Sequence, residues 1–357
     1  MSAANLATET ANQSTNPPAA ISACGLTHRY APTRKRRHRR GARPAPNDTQ
    51  TNPRDALSGL DLAITEGEIF GVLGPNGSGK TTLFRILATL LRPSGGKAAV
   101  FGRDVVSDAA LVRTALGVVF QSPSVDLKLT AHENLLHQGH LYGLRGQALR
   151  DRIDKLLEEF SLNERGRDLI ERFSGGMRRR LELAKALLHQ PRLLLLDEPA
   201  TGLDPAARRD LWHMLKRLRA DHGTTVAVTT HLMDDAKCCD RLAILHEGRL
   251  VALDTPDNLI AQIGGHVVFL DPAPNVHVPA LRDTIEERFG PWDGGTAPRL
   301  LDGRVHLERP DGPQFVADLT AALPGQIRSF TVGQPTLEDV YLHLTGHTLW
   351  GRKDSGA

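Results

Sequence analysis

Apolar positions along the chain recur with two periods, and the switches between them lay out most of the expected elements. Residues 21–30 read as an edge strand, and 62–65 and 68–73 as two further strands, the last running into a glycine-rich turn. From 81 to 91 the period is helical, with Leu83, Ile86 and Leu90 on one face. Short strands are expected at 98–101 and 117–121, and residues 130 to about 188 read as mainly helical. In that stretch Thr130 and Glu133 form a capping-box start, and Leu149, Ile153, Leu156, Leu157 and Phe160 line one face of a later helix. Strand and helix then alternate through 193–196, a helix from Pro205, 225–230 and 241–245. Asp204 as cap and Pro205 in the first turn specify that helix start.

Strands alternating with helices around the run Leu193, Leu194, Leu195 and Leu196 predict an α/β fold whose mainly parallel sheet is covered on both faces. The long helical stretch is then an insertion into that sheet, a subdomain. Beyond Asp254 the character changes: 255–263, 281–289 and 315–323 read as helices, and 267–270 and 305–307 as strands. A final helix from Thr336 carries Leu337, Val340, Tyr341 and Leu344 on one stripe. This is a small α+β appendage of about 90 residues, a size compatible with an independent domain.

Composition narrows the class. The 357 residues leave room for two or three domains, and 40% hydrophobic with 24% charged residues is ordinary for a soluble globular chain. The all-leucine run ends at Asp197, and nothing approaches the ~18 apolar residues of a membrane-spanning helix. The first twenty residues lack a basic start and an apolar stretch, so they read as a disordered tail of a cytoplasmic protein rather than a signal peptide. Cys24, Cys238 and Cys239 form neither a disulfide framework nor zinc-ligand spacing, and read as small buried residues in a reducing compartment.

Charge is uneven. The net of +3 owes everything to Arg34, Lys35, Arg36, Arg37, Arg39, Arg40 and Arg43; without them 37 basic residues face 41 acidic ones. The body is therefore mildly acidic, which argues against a protein-wide nucleic-acid surface, and no aromatic platform is interleaved with the arginines. The cluster reads as a solvated, flexible loop, with anionic lipid headgroups as a possible contact.

Chemistry enters at Gly74, Pro75, Asn76, Gly77, Ser78, Gly79, Lys80 and Thr81, which fit G-x-x-x-x-G-K-[ST], with Thr82 following, between an expected strand and an expected helix. Glycines let the backbone curl so that successive N–H groups face phosphate oxygens at a helix N-terminus. Two glycines at this spacing arise by chance about once in 200 positions, so the Lys-Thr pair and the strand–turn–helix context carry the reading. Lys80 would reach the β- and γ-phosphates and the Thr81 hydroxyl would sit on Mg²⁺. Downstream, an apolar strand delivers Asp197 and Glu198 to its C-terminal end, beside the phosphate loop. Asp197 suits Mg²⁺, and Glu198 suits positioning and deprotonating an attacking water. Ser174 is placed to cap a helix opening at Gly175 and Gly176, His231 follows the strand 225–230, and Gln121 ends the strand 117–121. Singly each of these has a bland reading, as a helix start, a core histidine and a surface glutamine.

Their order and spacing together resemble the nucleotide-binding domain of the ABC ATPase superfamily, from about residue 21 to 254. The resemblance implies that Ser174 and Gly176 cap the γ-phosphate held by a second subunit. It implies too that Asp204 couples the two sites of a dimer, that His231 contacts the γ-phosphate, that Gln121 binds Mg²⁺ and reports occupancy, and that Tyr30 stacks on adenine. Phe173 and Met177 stand where the commonest signature has Leu and Gln, and the basic insertion begins right after Tyr30. The domains expected on this basis are a tail at 1–19, the nucleotide-binding domain at 20–254, an α+β accessory domain at 255–346 and a tail at 347–357. The basic insertion (31–54) and the helical subdomain (122–190) fall inside the second of these.

The terminal segment from Pro335 to Gly346 is similar to the end of exporter ATPases of the daunorubicin-resistance type, and so is the segment 126–142 that would face a permease. The implied protein is the ATP-hydrolysing subunit of an exporter of drug-like, lipid or glycan substrates, working as a homodimer on a separate membrane permease at the cytoplasmic face. The alternative is a soluble ABC ATPase acting on ribosomes or DNA. One cassette rather than two, and only 53 positions from Gln121 to Ser174 with no cysteine between them, weigh against it.

Overall fold

The computed structural model describes residues 18–31, 55–292 and 295–348, so the basic segment and most of both expected tails lie outside the described residues. Contacts divide the chain into two units, and the division falls inside strand β3 (Ile69–Leu73). The first unit holds Met1–Phe70, Gly79–Thr229 and Glu247–Arg249; the second holds Gly71–Ser78, Thr230–His246 and Leu250–Ala357.

In the first unit, β1 (Ala19–Arg29), β2 (Asp55–Thr65), β4 (Gly95–Val100) and β5 (Arg103–Asp104) form an antiparallel sheet in the order β2-β1-β4-β5. The expected edge strand at 21–30 is therefore an inner strand. Its partner β2 begins well before the expected residue 62, and the reason is Gly59. At φ 72 it shifts the register between Leu57 and Leu60, both buried, and so breaks the alternation that marks a strand in sequence. On β1, Ala23 faces inward and its neighbour Cys24 outward. Cys24 is exposed, Cys238 is half-buried and only Cys239 is buried, which corrects the expectation for the three cysteines.

Helix α1 (Lys80–Leu87) follows the glycine-rich loop and buries Leu83 and Ile86. It ends before Thr89, whose φ is 61, so Leu90 lies past the helix and is exposed rather than in its apolar face. α2 (Ala109–Ala115) leads into β6 (Leu116–Val119). Three helices follow, α3 (Ala131–Leu141), α4 (Gly146–Glu159) and α5 (Gly175–Leu187). The Thr130–Glu133 capping box is present on α3, and Leu149, Ile153, Leu156, Leu157 and Phe160 are buried as the periodicity requires. β7 (Leu193–Asp197), α6 (Pro205–His222) and β8 (Thr225–Thr230) complete the alternation. Strands run β6-β7-β8-β3, with β6–β7 and β7–β8 parallel. Every residue of β7 and β8 is buried, as expected of strands covered on both faces.

In the second unit, β9 (Arg241–His246) and β10 (Arg249–Asp254) follow the end of β3, with α7 (Met233–Ala236) before them and α8 (Pro256–Ala261) after. A separate antiparallel sheet runs β12-β13-β11-β14, from β11 (His266–Pro272), β12 (Arg299–Leu301), β13 (Arg304–Arg309) and β14 (Ile327–Gly333). It shares one apolar core with α9 (Val278–Phe289) and α10 (Gly312–Ala322), around Val268, Leu270, Ile285, Leu307 and Phe315. The last helix, α11 (Leu337–Thr345), packs elsewhere. Its Leu337, Val340 and Tyr341 join Leu73 of β3, Ile244 of β9 and Leu259 of α8, while Leu344 of the expected stripe is partly exposed. No helix among the described residues is long and apolar enough to cross a membrane.

Candidate functional site

β3 is wholly buried and delivers the chain into the loop Gly74–Ser78. The Gly74 N–H donates to the Thr230 carbonyl at 3.3 Å, and a Cβ on Gly74 would stand 2.5 Å from the Leu245 carbonyl oxygen. Only glycine fits there. Gly79, with φ 105, caps the start of α1 in the left-handed region, and a Cβ on it would collide with the Ala56 carbonyl oxygen. The first turn of α1 carries no acidic residue, which leaves its N–H groups and dipole facing whatever anion the loop receives. The Ser78 hydroxyl is buried without a hydrogen-bond partner, an orphaned donor in the cradle itself.

Lys80 and Thr81, the first residues of α1, meet the end of β7. The Lys80 ammonium lies 3.6 Å from Glu198 Oε1, and the Thr81 hydroxyl donates to Asp197 Oδ1 at 3.3 Å. Burial pushes the proton affinity of Lys80 down, and Glu198 and Asp197 partly offset it. Thr229 of β8 organises both acids. Its hydroxyl donates to Asp197 Oδ1 at 2.6 Å and accepts from the Glu198 N–H at 2.9 Å. Glu198 sits at φ 49, a left-handed backbone that a non-glycine residue occupies only when its surroundings impose it. The Thr201 hydroxyl donates to Glu198 Oε2 at 3.3 Å. One carboxylate and one hydroxyl at this spacing suit Mg²⁺, which takes few protein oxygens and completes its shell with phosphate and water.

Other residues singled out by sequence are placed as follows. The Tyr30 hydroxyl lies 3.2 Å from the Thr82 hydroxyl, and its ring stands edge-on to His28. His231 directly follows β8. Ser174 caps α5, accepting from the Met177 N–H at 3.2 Å. Asp204 caps α6, and the N–H groups of Ala207 and Ala206 hold its carboxyl below the usual carboxylate range. A Cβ on Gly176 would meet Ala207 at 3.6 Å, so the starts of α5 and α6 adjoin. Gln121 lies beyond the end of β6 rather than in the strand. Gln121, Ser174, Gly175 and Asp204 are exposed, in contrast to the buried cluster of Lys80, Asp197 and Glu198.

Two residues that sequence reasoning missed tie these pieces together. Arg179 of α5 donates to the carbonyls of Phe120 at 3.1 Å, Pro199 at 3.0 Å and Asp197 at 3.5 Å. Its partner Glu182, 2.9 Å away, accepts from the Ser124 N–H at 2.7 Å. One guanidinium thus joins the helix opened by Ser174, the segment of Gln121 and the two acids. In sequence Arg179 is the middle of three arginines, which reads as a solvated face. The only available signal was the Arg179–Glu182 pair at helical i, i+3 spacing.

Comparison with known proteins identifies the family. Residues 57–201 match the ABC transporter family. The chain is 41% identical to the daunorubicin/doxorubicin resistance ATP-binding protein DrrA of Streptomyces peucetius, over 82% of this chain and 88% of that one. It is 36% identical to the Nod factor export ATP-binding protein I of Rhizobium sp. (strain N33), over 82% of this chain and 93% of that one. Among solved structures, the ATP-binding cassette MJ0796 in a post-hydrolysis dimer bound to ADP and Pi matches with a TM-score of 0.56 and 26% identity, over 66% of this chain and 98% of that one. The chain belongs to the ATP-binding proteins of ABC transporters, in the daunorubicin-resistance branch, and is an ATPase.

Proposed function

We propose that this chain is the ATP-hydrolysing subunit of an exporter and that its site residues act as their placement suggests. The observation that carries the reading is the cluster in which Thr81 and the buried Lys80, Asp197 and Glu198 converge, at a helix start that follows a loop where Gly74 and Gly79 leave no room for a side chain. The loop from Gly74 to Thr82 receives the phosphates through N–H groups that follow Pro75, with Lys80 compensating their charge. Asp197 and Thr81, with Gln121, would hold Mg²⁺, which would supply positive charge to offset that of the phosphates. Glu198 takes a proton from water as its oxygen bonds to the γ-phosphorus and the bond to the bridging oxygen breaks, leaving ADP and phosphate. His231 steadies the γ-phosphate and Tyr30 packs on adenine.

Exposed Ser174, Gly175 and Asp204, with half-buried Gly176, have no phosphate to meet in their own chain's buried cluster. A second copy, head to tail, supplies one. Closure of that dimer on ATP and its reopening after hydrolysis would drive a separate membrane permease, with the cassette on the cytoplasmic face. Relatives named for drug resistance and for Nod factor export favour a drug-like, lipid or glycan cargo, and neither name points to ribosomes or DNA. We assign residues 20–254 to the ATPase domain and 255–346 to an accessory domain. The separate core of β11 to β14 supports this, and α11 is the exception to it. The basic segment from Arg34 to Arg43 is assigned to anionic lipid, which unchanged flotation of a 34–43 deletion with anionic liposomes would refute.

Tagged Glu198→Gln protein, purified with ATP from membranes in detergent, tests the main reading. A polytopic membrane protein at near-equal stoichiometry is expected. Co-purified ribosomes or repair factors without one would overturn the exporter assignment while leaving the ATP site standing.

A further inference from the structure

A hydrogen bond ties the C-terminal helix to the strand end that borders the phosphate loop. Tyr341 of α11 has a fully buried side chain, and a buried tyrosine hydroxyl needs a partner. The partner is the His246 ring, with Nδ1 2.6 Å from the hydroxyl and the two rings edge-on. His246 is the last residue of β9, and His347, just past α11, stacks on its ring. The residue before it, Leu245, presents the carbonyl that stands against Gly74, where even a methyl group would be 2.5 Å away. Leu73, immediately before Gly74, packs in the same core as Tyr341. The first residue of the phosphate loop is therefore bounded by a strand end whose position α11 holds.

We propose that Tyr341 is a positioning residue for the ATP site: its hydrogen bond to His246 fixes the end of β9 and so the entry of the phosphate loop at Gly74. The inference rests on reading Gly74–Thr81 as the loop that holds ATP phosphates. It gives the terminal segment a task inside its own chain, in nucleotide affinity. Any tyrosine in a core would satisfy its hydroxyl, so burial alone says nothing of the ATP site. The contact of Leu245 with Gly74 is what links the bond to the loop.

Tyr341→Phe removes the hydroxyl and keeps the ring, whereas Tyr341→Ala would open a cavity and test folding instead. In the full chain, Tyr341→Phe should raise KM for ATP, and the dissociation constant of a non-hydrolysable ATP analogue, by about three-fold, within the range of one lost hydrogen bond. The kcat should stay within about two-fold, since no group that touches the reacting atoms has changed. His246→Leu should show the same split, and the double variant no further rise, because the two changes remove one bond. Unchanged ATP affinity in Tyr341→Phe overturns the proposal, as does a lowered Tm with both kinetic constants intact. Additive effects of the two changes do so as well. Lys80→Ala, run alongside, separates the premises: if it binds the analogue like the wild type, the phosphate-loop reading itself has failed.

Discussion

The ammonium of Lys80 lies 3.6 Å from the carboxylate of Glu198, and the two side chains are only 4% and 8% exposed. Each is the other's neutralising partner in a place where an unpaired charge would be costly. In the proposed function both are also the groups that ATP would engage, one as a cation for phosphate and one as a base for water. A γ-phosphate entering the loop would then offer Lys80 a new anion and free Glu198 Oε1 to accept a proton, so that substrate binding and activation of the base would be one exchange of partners. Thr229 keeps the acid in place throughout, through the N–H of Glu198 rather than through its carboxylate.

Glu198→Gln keeps the shape and the contact with Lys80 but removes the proton acceptor. ATP binding should persist and turnover should fall by about 10²–10⁴-fold, the usual size of a lost general base. Steady-state ATPase assays and nucleotide titration check both halves. Hydrolysis at the wild-type rate would remove Glu198 from the role of base.

The exposed signature supports a second experiment on the same background. With ATP, Glu198→Gln protein should run as a dimer in light scattering. Adding Ser174→Arg should return it to a monomer that still binds ATP, because the change falls on the surface we assign to a partner's nucleotide. Losing the cap on α5 should cost about 1 kcal/mol of stability, too little to unfold the chain. A double variant that still dimerises would show that Ser174 does not face the second nucleotide.

The candidate site was legible in sequence because it is built from residues whose types are dictated locally. Gly74 and Gly79 are forced by backbone approach, and Asp197 and Glu198 end a strand buried on both faces. Asp204 and Pro205 likewise announced α6. What failed was whatever depended on a partner distant in sequence. β2 was cut short because the shift at Gly59 interrupts its alternation, and β1 therefore looked like an edge. Leu90 and Leu344 kept helical spacing beyond the surface that buries it. Arg179 looked like its neighbours Arg178 and Arg180, since only tertiary folding brings the carbonyls of Phe120, Asp197 and Pro199 to one guanidinium. Tyr341 fitted an amphipathic stripe, but nothing local tied it to His246.

Arg179→Lys tests that guanidinium directly. A lysine keeps the charge near Glu182 but cannot fork across the carbonyls on both sides of the acids. The kcat should drop by about ten-fold with KM for ATP within two-fold, one order of magnitude in rate being about 1.4 kcal/mol of lost positioning. An unchanged kcat with a lowered Tm would reduce Arg179 to a structural tie.

The last prediction concerns pH and the accessory sheet. His306 of β13 is almost fully buried, with its ring tilted against Phe269, and neither ring nitrogen has a hydrogen-bond partner. Burial, helped by Arg299 and His343, pushes its pKa down to about 4, and Asp339 offsets this only in part. Glu308, the other buried ionisable group on this strand, is already engaged by His343 at 3.0 Å. The unfolded chain binds a proton at His306 below about pH 6.5, whereas the folded chain stays neutral down to about pH 4. Between those values the unfolded state holds more protons, so stability falls as pH falls through that window and is regained as pH rises. The loss from this one residue is on the order of 3 kcal/mol at the acid end. Urea unfolding of the full chain at pH 7.5 and pH 5 should show a drop for the wild type, with a smaller one for His306→Phe, which fills the same space without a titrating group. Equal drops in the two proteins would mean that His306 is not the group that binds the proton on unfolding.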